Sequence, residues 1–184
     1  MSVSEETVVD VFNKAVNEHR SNRAFTCLGK TITYGELDKL SAKFAWYLQT
    51  QTELVPGDRI AIQLPNVLQY PVALFGALRA GLIVVNTNPL YTSREIKHQL
   101  IDSGAKALVV LANVASSAAS IVKDTNVETV IVTEIGDLHS PVKRLLLNSV
   151  IKYIKKGVPK FSFPKSCKQY SFHQLLAGSK TDYK

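Results

Sequence analysis

Gly76-Ala77-Leu78-Arg79-Ala80-Gly81 has the two-glycine span of a phosphate loop, G-x-x-x-x-G. Such a loop continues with Lys and then Ser or Thr, which hold phosphate and Mg²⁺. Here Leu82 and Ile83 follow. The span also falls at the end of a helical pattern, where the helix dipole is negative and repels phosphate. The competing role is a helix stop, with Gly81 in a left-handed conformation. No G-x-G-x-x-G occurs, so a dinucleotide site lacks its main support. His19, His98, His139 and His173 are isolated in sequence. None stands four residues from another or beside a cysteine pair, so surface or supporting roles are expected rather than metal ligation. Asp58-Arg59 offers a local charge pair at a strand start. No serine sits in a G-x-S-x-G elbow. These residues assemble no nucleophile with its base. Catalytic, cofactor-binding and metal positions are therefore left unassigned.

The segment with most functional content is basic and amphipathic. Residues 141–156 are predicted as a helix, stopped by Gly157 and Pro159. At 100° per residue Val142, Leu146, Val150 and Tyr153 share a narrow sector, widened by Leu147 and Ile154. Arg144, Lys152, Lys155 and Lys156 share the opposite arc, and Lys160 follows among Phe161 and Phe163. A helix of this kind can lie in an anionic membrane surface. The plainer alternative packs its apolar face on its own domain and leaves the lysines solvated.

The elements that would carry these residues follow from periodicity. Residues 57–91 read as strand, helix, strand: Asp58 to Leu64, Val67 to Ala80, and Leu82 to Val85. Two apolar strands joined by one helix form a βαβ unit with parallel strands. The remaining elements are expected to pack around it. Ser2 or Ser4 is the expected cap of a first helix, with Val8, Phe12, Ala15 and Val16 facing inward. Residues 24–28 and 31–33 flank Gly29-Lys30 as a β-hairpin. Thr33-Tyr34-Gly35-Glu36 has capping-box spacing and opens a helix to about Gln51. Thr92 or Ser93 caps a helix through Asp102, with Ile96, Leu100 and Ile101 inward. Ala107 to Leu111 and Thr129 to Thr133 read as strands, with a helix over 116–125 between them. The expected fold class is α/β: an open, mainly parallel sheet with helices on both faces, plus a short N-terminal β-hairpin. The expected division is an α/β core over 1–138 and a basic amphipathic extension over 139–184.

Composition agrees with a globular chain: 46% hydrophobic and 20% charged residues over 184 positions. The net charge of +7 is unevenly spread. Residues 1–138 carry 12 basic and 14 acidic side chains; residues 139–184 carry 10 basic ones and the single acid Asp182. Such a tail points to a negatively charged neighbour. Nucleic acid is not the expected partner, because no reading motif accompanies the charge. The acidic start, MSVSEETVVD, has no secretory-signal pattern, and Cys27 and Cys167 show no metal or disulfide spacing. A cytoplasmic setting is expected, with peripheral attachment to the inner face of the cell membrane as its extension.

At TYGEL (33–37), GDRIAIQLPN (57–66) and LRAGLIVVNTNPLYTSREIKHQLIDSGAKALVV (78–110), the chain resembles the N-terminal part of acyl-adenylate-forming enzymes. Through LPNVLQYPVALFGALRAGLIVVNTNPLYT and VIKYIKKGVPKF it is similar to bacterial long-chain fatty-acid–CoA ligases. The resemblance covers nearly the whole chain. It implies a full enzyme that joins a fatty acid to CoA, using ATP and Mg²⁺ and passing through an acyl-adenylate, with release of AMP and pyrophosphate. It further implies that the phosphate-handling segments lie beyond Lys184, so the chain is expected to be an inactive piece of that enzyme. Its first partner would be the rest of its own chain, and exposed apolar surface would favour self-association. A ligase for another carboxylic acid and a free-standing membrane- or partner-docking module are the alternatives.

Overall fold

The computed structural model describes residues 6–184. Helix α1 (Val8–His19) begins at Thr7, whose hydroxyl accepts from the Asp10 N–H while the Asp10 carboxylate accepts from the Thr7 N–H. The cap is therefore Thr7; the expected caps Ser2 and Ser4 lie outside the described residues. Phe12 and Val16 are buried, but Val8 stands in solvent. Strands β1 (Arg23–Cys27) and β2 (Lys30–Thr33) pair antiparallel. Their turn is Leu28-Gly29, one residue earlier than expected, with φ of +48° and +72°. A two-residue hairpin turn with both φ positive matches the twist of its strands, which is why glycine is needed there.

Helix α2 (Tyr34–Gln51) starts on the expected box: Thr33 accepts from Glu36 N–H, and Glu36 accepts from Thr33 N–H at 2.8 Å. Leu37, Phe44, Ala45 and Leu48 are buried along its inner face, while Leu40 is half-buried. Next come β3 (Arg59–Gln63), α3 (Gln69–Arg79) and β4 (Ile83–Asn86). The end of α3 is a Schellman motif: Gly81 at φ +78° donates to Leu78 O, and Leu82 N–H donates to Ala77 O. Helix α4 (Ser93–Ser103) is capped by Thr92 and Glu95 and stopped by left-handed Gly104. Ile96 and Leu100 are buried beneath it; Ile101 is half in solvent and does not belong to the inner face. Strand β5 (Ala107–Leu111) is buried at all five positions. The helix expected over 116–125 is a short α5 (Ala115–Ala119) followed by a 3₁₀ turn (Val122–Asp124). Strand β6 (Thr129–Thr133) lies as expected.

After α6 (Pro141–Ser149) the chain returns as β7 (Lys168–Ser171) and α7 (Phe172–Gly178). The sheet order is β4-β3-β5-β6-β7, parallel throughout. Two readings change here. The β3-α3-β4 unit is not the middle of the sheet: β4 is an edge and β5 the centre. The stretch beyond 138 also supplies a fifth strand, which polar KQYS did not announce.

Side chains alternate between two cores, as strand geometry requires. Ile60, Ile62, Val109 and Ile131 face α1, α2, α3 and α7. Ala61, Leu108, Val110 and Val130 face Ile96 and Leu100 of α4, Ala115 and Ala118 of α5, and Phe163. Helices thus cover both faces. The α2–α3 contact is close because Gly76 lacks a side chain: a Cβ there would sit 2.8 Å from Phe44 and from the Ser41 carbonyl. Arg79 is buried in the same contact and donates to Asp38, Ser41 and Asn13.

Candidate functional site

The turn after β6 organises the carboxyl end of the sheet. Asp137 folds back so that its Oδ2 accepts from the Thr133 hydroxyl and from Glu134 N–H, both at 2.9 Å. Asn148, the next-to-last residue of α6, clamps this turn from outside. Its Oδ1 accepts from Gly136 N–H at 2.8 Å and its Nδ2 donates to Glu134 Oε2 at 2.7 Å. Gly136 is required by this approach, since a Cβ would lie 2.6 Å from Asn148 Oδ1. From α7, His173 Nδ1 donates to the Asp137 carbonyl at 3.2 Å. Between α6 and the ends of β6 and β7 lies a cleft of about 570 Å³. Glu134, Asp137, Ser171 and His173 line one side, and Arg144, Lys152 and Tyr153 another. Carboxyl ends of parallel strands are where open α/β sheets place their ligands. The cleft mixes both charge signs and holds a base, but its carboxylates are spent on the turn and on Asn148. It is a polar cleft, and among the described residues that line it no hydrogen bond joins a nucleophile to a base.

The five basic residues of the amphipathic segment divide. Arg144 and Lys152 line the cleft. Lys155, Lys156 and Lys160 are exposed, and no ion pair joins any of the five among the described residues. The apolar sector is packed on the domain only in part: Leu147 and Val150 are half-buried. Val142, Leu146, Tyr153 and Ile154 are 80%, 62%, 69% and 75% exposed. The helix is also irregular: residues Val150–Ile154 form a π-turn, with Lys155 N–H donating to Val150 O. The wider turn breaks the 100° projection after residue 149. Asn113 then holds the Gly157 carbonyl at 2.8 Å and ties the end down.

The other residues singled out in the sequence are scattered. The Gly76–Gly81 span packs on Phe44 and Pro56 at a helix end, so it offers a triphosphate neither open N–H groups nor room. Asp58 pairs with Lys106 at 2.7 Å rather than with its neighbour Arg59. Burial pushes the Asp58 carboxyl up, but the Lys106 hydrogen bond, the Val55 N–H and the charges of Lys106 and Arg59 outweigh this and hold it below the usual range. Cys27 and Cys167 are both free thiols. Burial raises the Cys167 thiol. His19 and His98 are exposed, whereas His139 and His173 meet at one groove. Among the described residues no three His, Cys, Asp or Glu gather as a metal site. No described helix is long and apolar enough to cross a membrane. Sequence reasoning missed Asp137, Asn148 and Arg79; Asn148 meets a turn twelve residues upstream, and no local pattern encodes that.

A long-chain-fatty-acid–CoA ligase of Haemophilus influenzae is 49% identical over 172 residues, covering 94% of this chain and 30% of that enzyme. The chain thus spans 28–30% of the length of these curated relatives. In fold, a long-chain-fatty-acid–CoA ligase from Archaeoglobus fulgidus superposes with a TM-score of 0.71 at 18% identity, over 100% of this chain and 32% of that one. A benzoate CoA ligase from Burkholderia xenovorans LB400 gives 0.67 at 20% identity, over 93% and 28%. The family model described as AMP-binding enzyme matches residues 12–165, from α1 to the approach to β7, and the chain therefore belongs to that family.

Proposed function

We propose that these residues form the N-terminal α/β subdomain of a long-chain fatty-acid–CoA ligase. The observation that carries this is the 49% identity, sustained over 94% of the chain, with a ligase of that name. In the full enzyme a fatty carboxylate would attack the α-phosphorus of ATP, releasing pyrophosphate; the CoA thiol would then displace AMP from the acyl-adenylate. Mg²⁺ and hydrogen-bond donors would absorb the charge that develops on phosphate. The Gly76–Gly81 span does not fit a triphosphate and would not hold the ATP. The 184 residues supply scaffold, and by themselves make no acyl-CoA. The test is the reading frame beyond codon 184, then AMP release by its full product. Oleate-dependent AMP release with CoA supports the reading. Release only with a short or aromatic acid moves the chain to another ligase branch, and a frame that closes at Lys184 refutes it.

The exposed apolar side chains of α6 and of the π-turn after it favour a second, compatible role. Val142, Leu145, Leu146, Tyr153 and Ile154 stand in solvent next to Lys155, Lys156 and Lys160. We infer peripheral docking on the anionic inner face of the cell membrane, apolar side down, with Arg144 and Lys152 adding attraction. Each Lys or Arg near such a surface is worth about 1 kcal/mol. The same face would drive self-association at high protein concentration. Vesicles rich in phosphatidylglycerol should sediment the protein at low salt. Glutamate at Lys152, Lys155 and Lys156 should abolish this; absence of sedimentation by the native chain ends the idea.

A further inference from the structure

The cleft between α6 and the ends of β6 and β7 separates acceptors from donors. On the sheet side each carboxylate spends one oxygen within the protein and keeps the other. Asp137, only 7% exposed, uses Oδ2 for Thr133 and Glu134, and its Oδ1 makes no hydrogen bond among the described residues. Glu134 uses Oε2 for Asn148 and keeps Oε1 in the same way. His173 gives its Nδ1 proton to the Asp137 carbonyl, which leaves a lone pair at Nε2 of the neutral ring. None of these three atoms is sealed from solvent. On the α6 side the charged groups are donors only, the guanidinium of Arg144 and the ammonium of Lys152. Neither acid meets a cation, and neither base meets an acid, among the described residues. Opposite charges thus stand across about 570 Å³ without pairing. Asp137 is the costly member, because a buried carboxylate without a cation is unfavourable.

A ligand that completes this cleft carries both charges. A primary ammonium has three N–H donors, which match Asp137 Oδ1, Glu134 Oε1 and His173 Nε2. A phosphodiester accepts from a guanidinium and an ammonium, and so matches Arg144 and Lys152. An anion alone is repelled by the two carboxylates, and a quaternary ammonium has no N–H to give. The remaining lining is apolar and open: Leu145 and Tyr153 are 71% and 69% exposed. We propose that the cleft binds the phosphoethanolamine headgroup of a membrane lipid. Its ammonium sits against Asp137, Glu134 and His173, its phosphate against Arg144 and Lys152, and the first carbons of its chains against Leu145 and Tyr153. The proposal rests on the docking of α6 on a membrane and adds to that charge-driven contact the recognition of one lipid by its chemistry.

Two net-neutral lipids provide the assay. The 184-residue chain is sedimented with vesicles of phosphatidylcholine alone and with mixed vesicles of phosphatidylcholine and phosphatidylethanolamine. Neither lipid adds net charge, so a difference between them reports the ammonium hydrogens. The mixed vesicles should bind about tenfold more tightly, since choline cannot make the charge-assisted hydrogen bonds. Glu134→Gln and Arg144→Gln should each remove about tenfold of binding to the mixed vesicles. Glycerophosphoethanolamine, the headgroup without its chains, should shift the imidazole resonances of His173 on a saturable curve and leave His19, His98 and His139 still. Glycerophosphocholine should shift none. A native chain that sediments with phosphatidylglycerol vesicles but treats the two neutral lipids alike overturns the site and leaves membrane docking standing. A chain that no vesicle sediments overturns both. Equal shifts at all four histidines overturn the site, and binding of the free headgroup without a vesicle preference overturns its assignment to a lipid. Should Glu134→Gln not fold, Arg144→Gln and the lipid comparison on the native chain decide.

Discussion

Replacing Arg79 with methionine keeps the length of the side chain and removes its charge and donors. The guanidinium is 3% exposed and lies 2.6 Å from Asp38 Oδ1. It also donates to Asp38 O at 2.9 Å, Ser41 Oγ at 2.8 Å and Asn13 Oδ1 at 2.9 Å, between the rings of Phe12 and Tyr183. Breaking a buried pair from one side costs about 3–5 kcal/mol, chiefly because the remaining charge loses its partner. Asp38 retains 28% exposure and a second cation, Arg20 at 3.5 Å, so the low end applies. We expect Arg79→Met to cost about 3 kcal/mol, out of a total stability of about 5–15 kcal/mol. For a chain of this size that lowers Tm by about 6–12 °C. Arg79→Lys should cost about 2 kcal/mol, because one ammonium cannot reproduce a planar fork with several partners. Urea unfolding followed by circular dichroism and by Trp46, the sole tryptophan, reads both. In a cycle with Asp38→Asn, the double variant should lose about 1–2 kcal/mol less than the sum. A loss under about 1 kcal/mol for Arg79→Met, or additivity in the cycle, would refute the view that this ion pair locks α1, α2 and α3.

Two glycines should respond in the order of their crowding. Gly76→Ala gains about 1 kcal/mol of helix propensity but drives a Cβ to 2.8 Å from Phe44, for a net loss of about 2 kcal/mol. Gly104→Ala meets nothing within 4 Å and pays only for φ +64°, about 1 kcal/mol; the reverse ranking in urea melts would show that the α2–α3 contact is looser than described. Asp58 gives a pH signature. Its folded carboxyl titrates below the unfolded value, so its contribution is complete above about pH 4 and is lost as pH falls through the lower folded value. The stability gap between the native chain and Asp58→Asn should therefore narrow on acidification, and a gap that holds constant to about pH 2.5 contradicts the Lys106 pairing.

Much of the scaffold was legible because its signals are local. Thr33 and Glu36, or Thr92 and Glu95, satisfy each other within one turn, so spacing alone reveals the cap. Strand 107–111 is apolar throughout and strand 129–133 through its middle three residues, because both of their faces are covered. Thr7 was missed because its partner is Asp10, a shorter acid than the Glu or Gln usually sought three residues on. β7 was missed because an edge strand with two exposed positions shows no apolar run. The α6 projection was sound for nine residues and then failed, since a π-turn changes the angle between side chains.

By itself the sequence determined the fold class, the parallel βαβ rhythm and the likeness to acyl-adenylate-forming enzymes, because periodicity, caps and motifs are properties of neighbouring residues. Only the tertiary structure decided that Arg79 is buried, that Asn148 clamps a turn twelve residues before it, and that His139 and His173 share a groove. Each of those facts depends on which chain segments, distant in sequence, come within hydrogen-bond reach, and on whether water still reaches the groups between them.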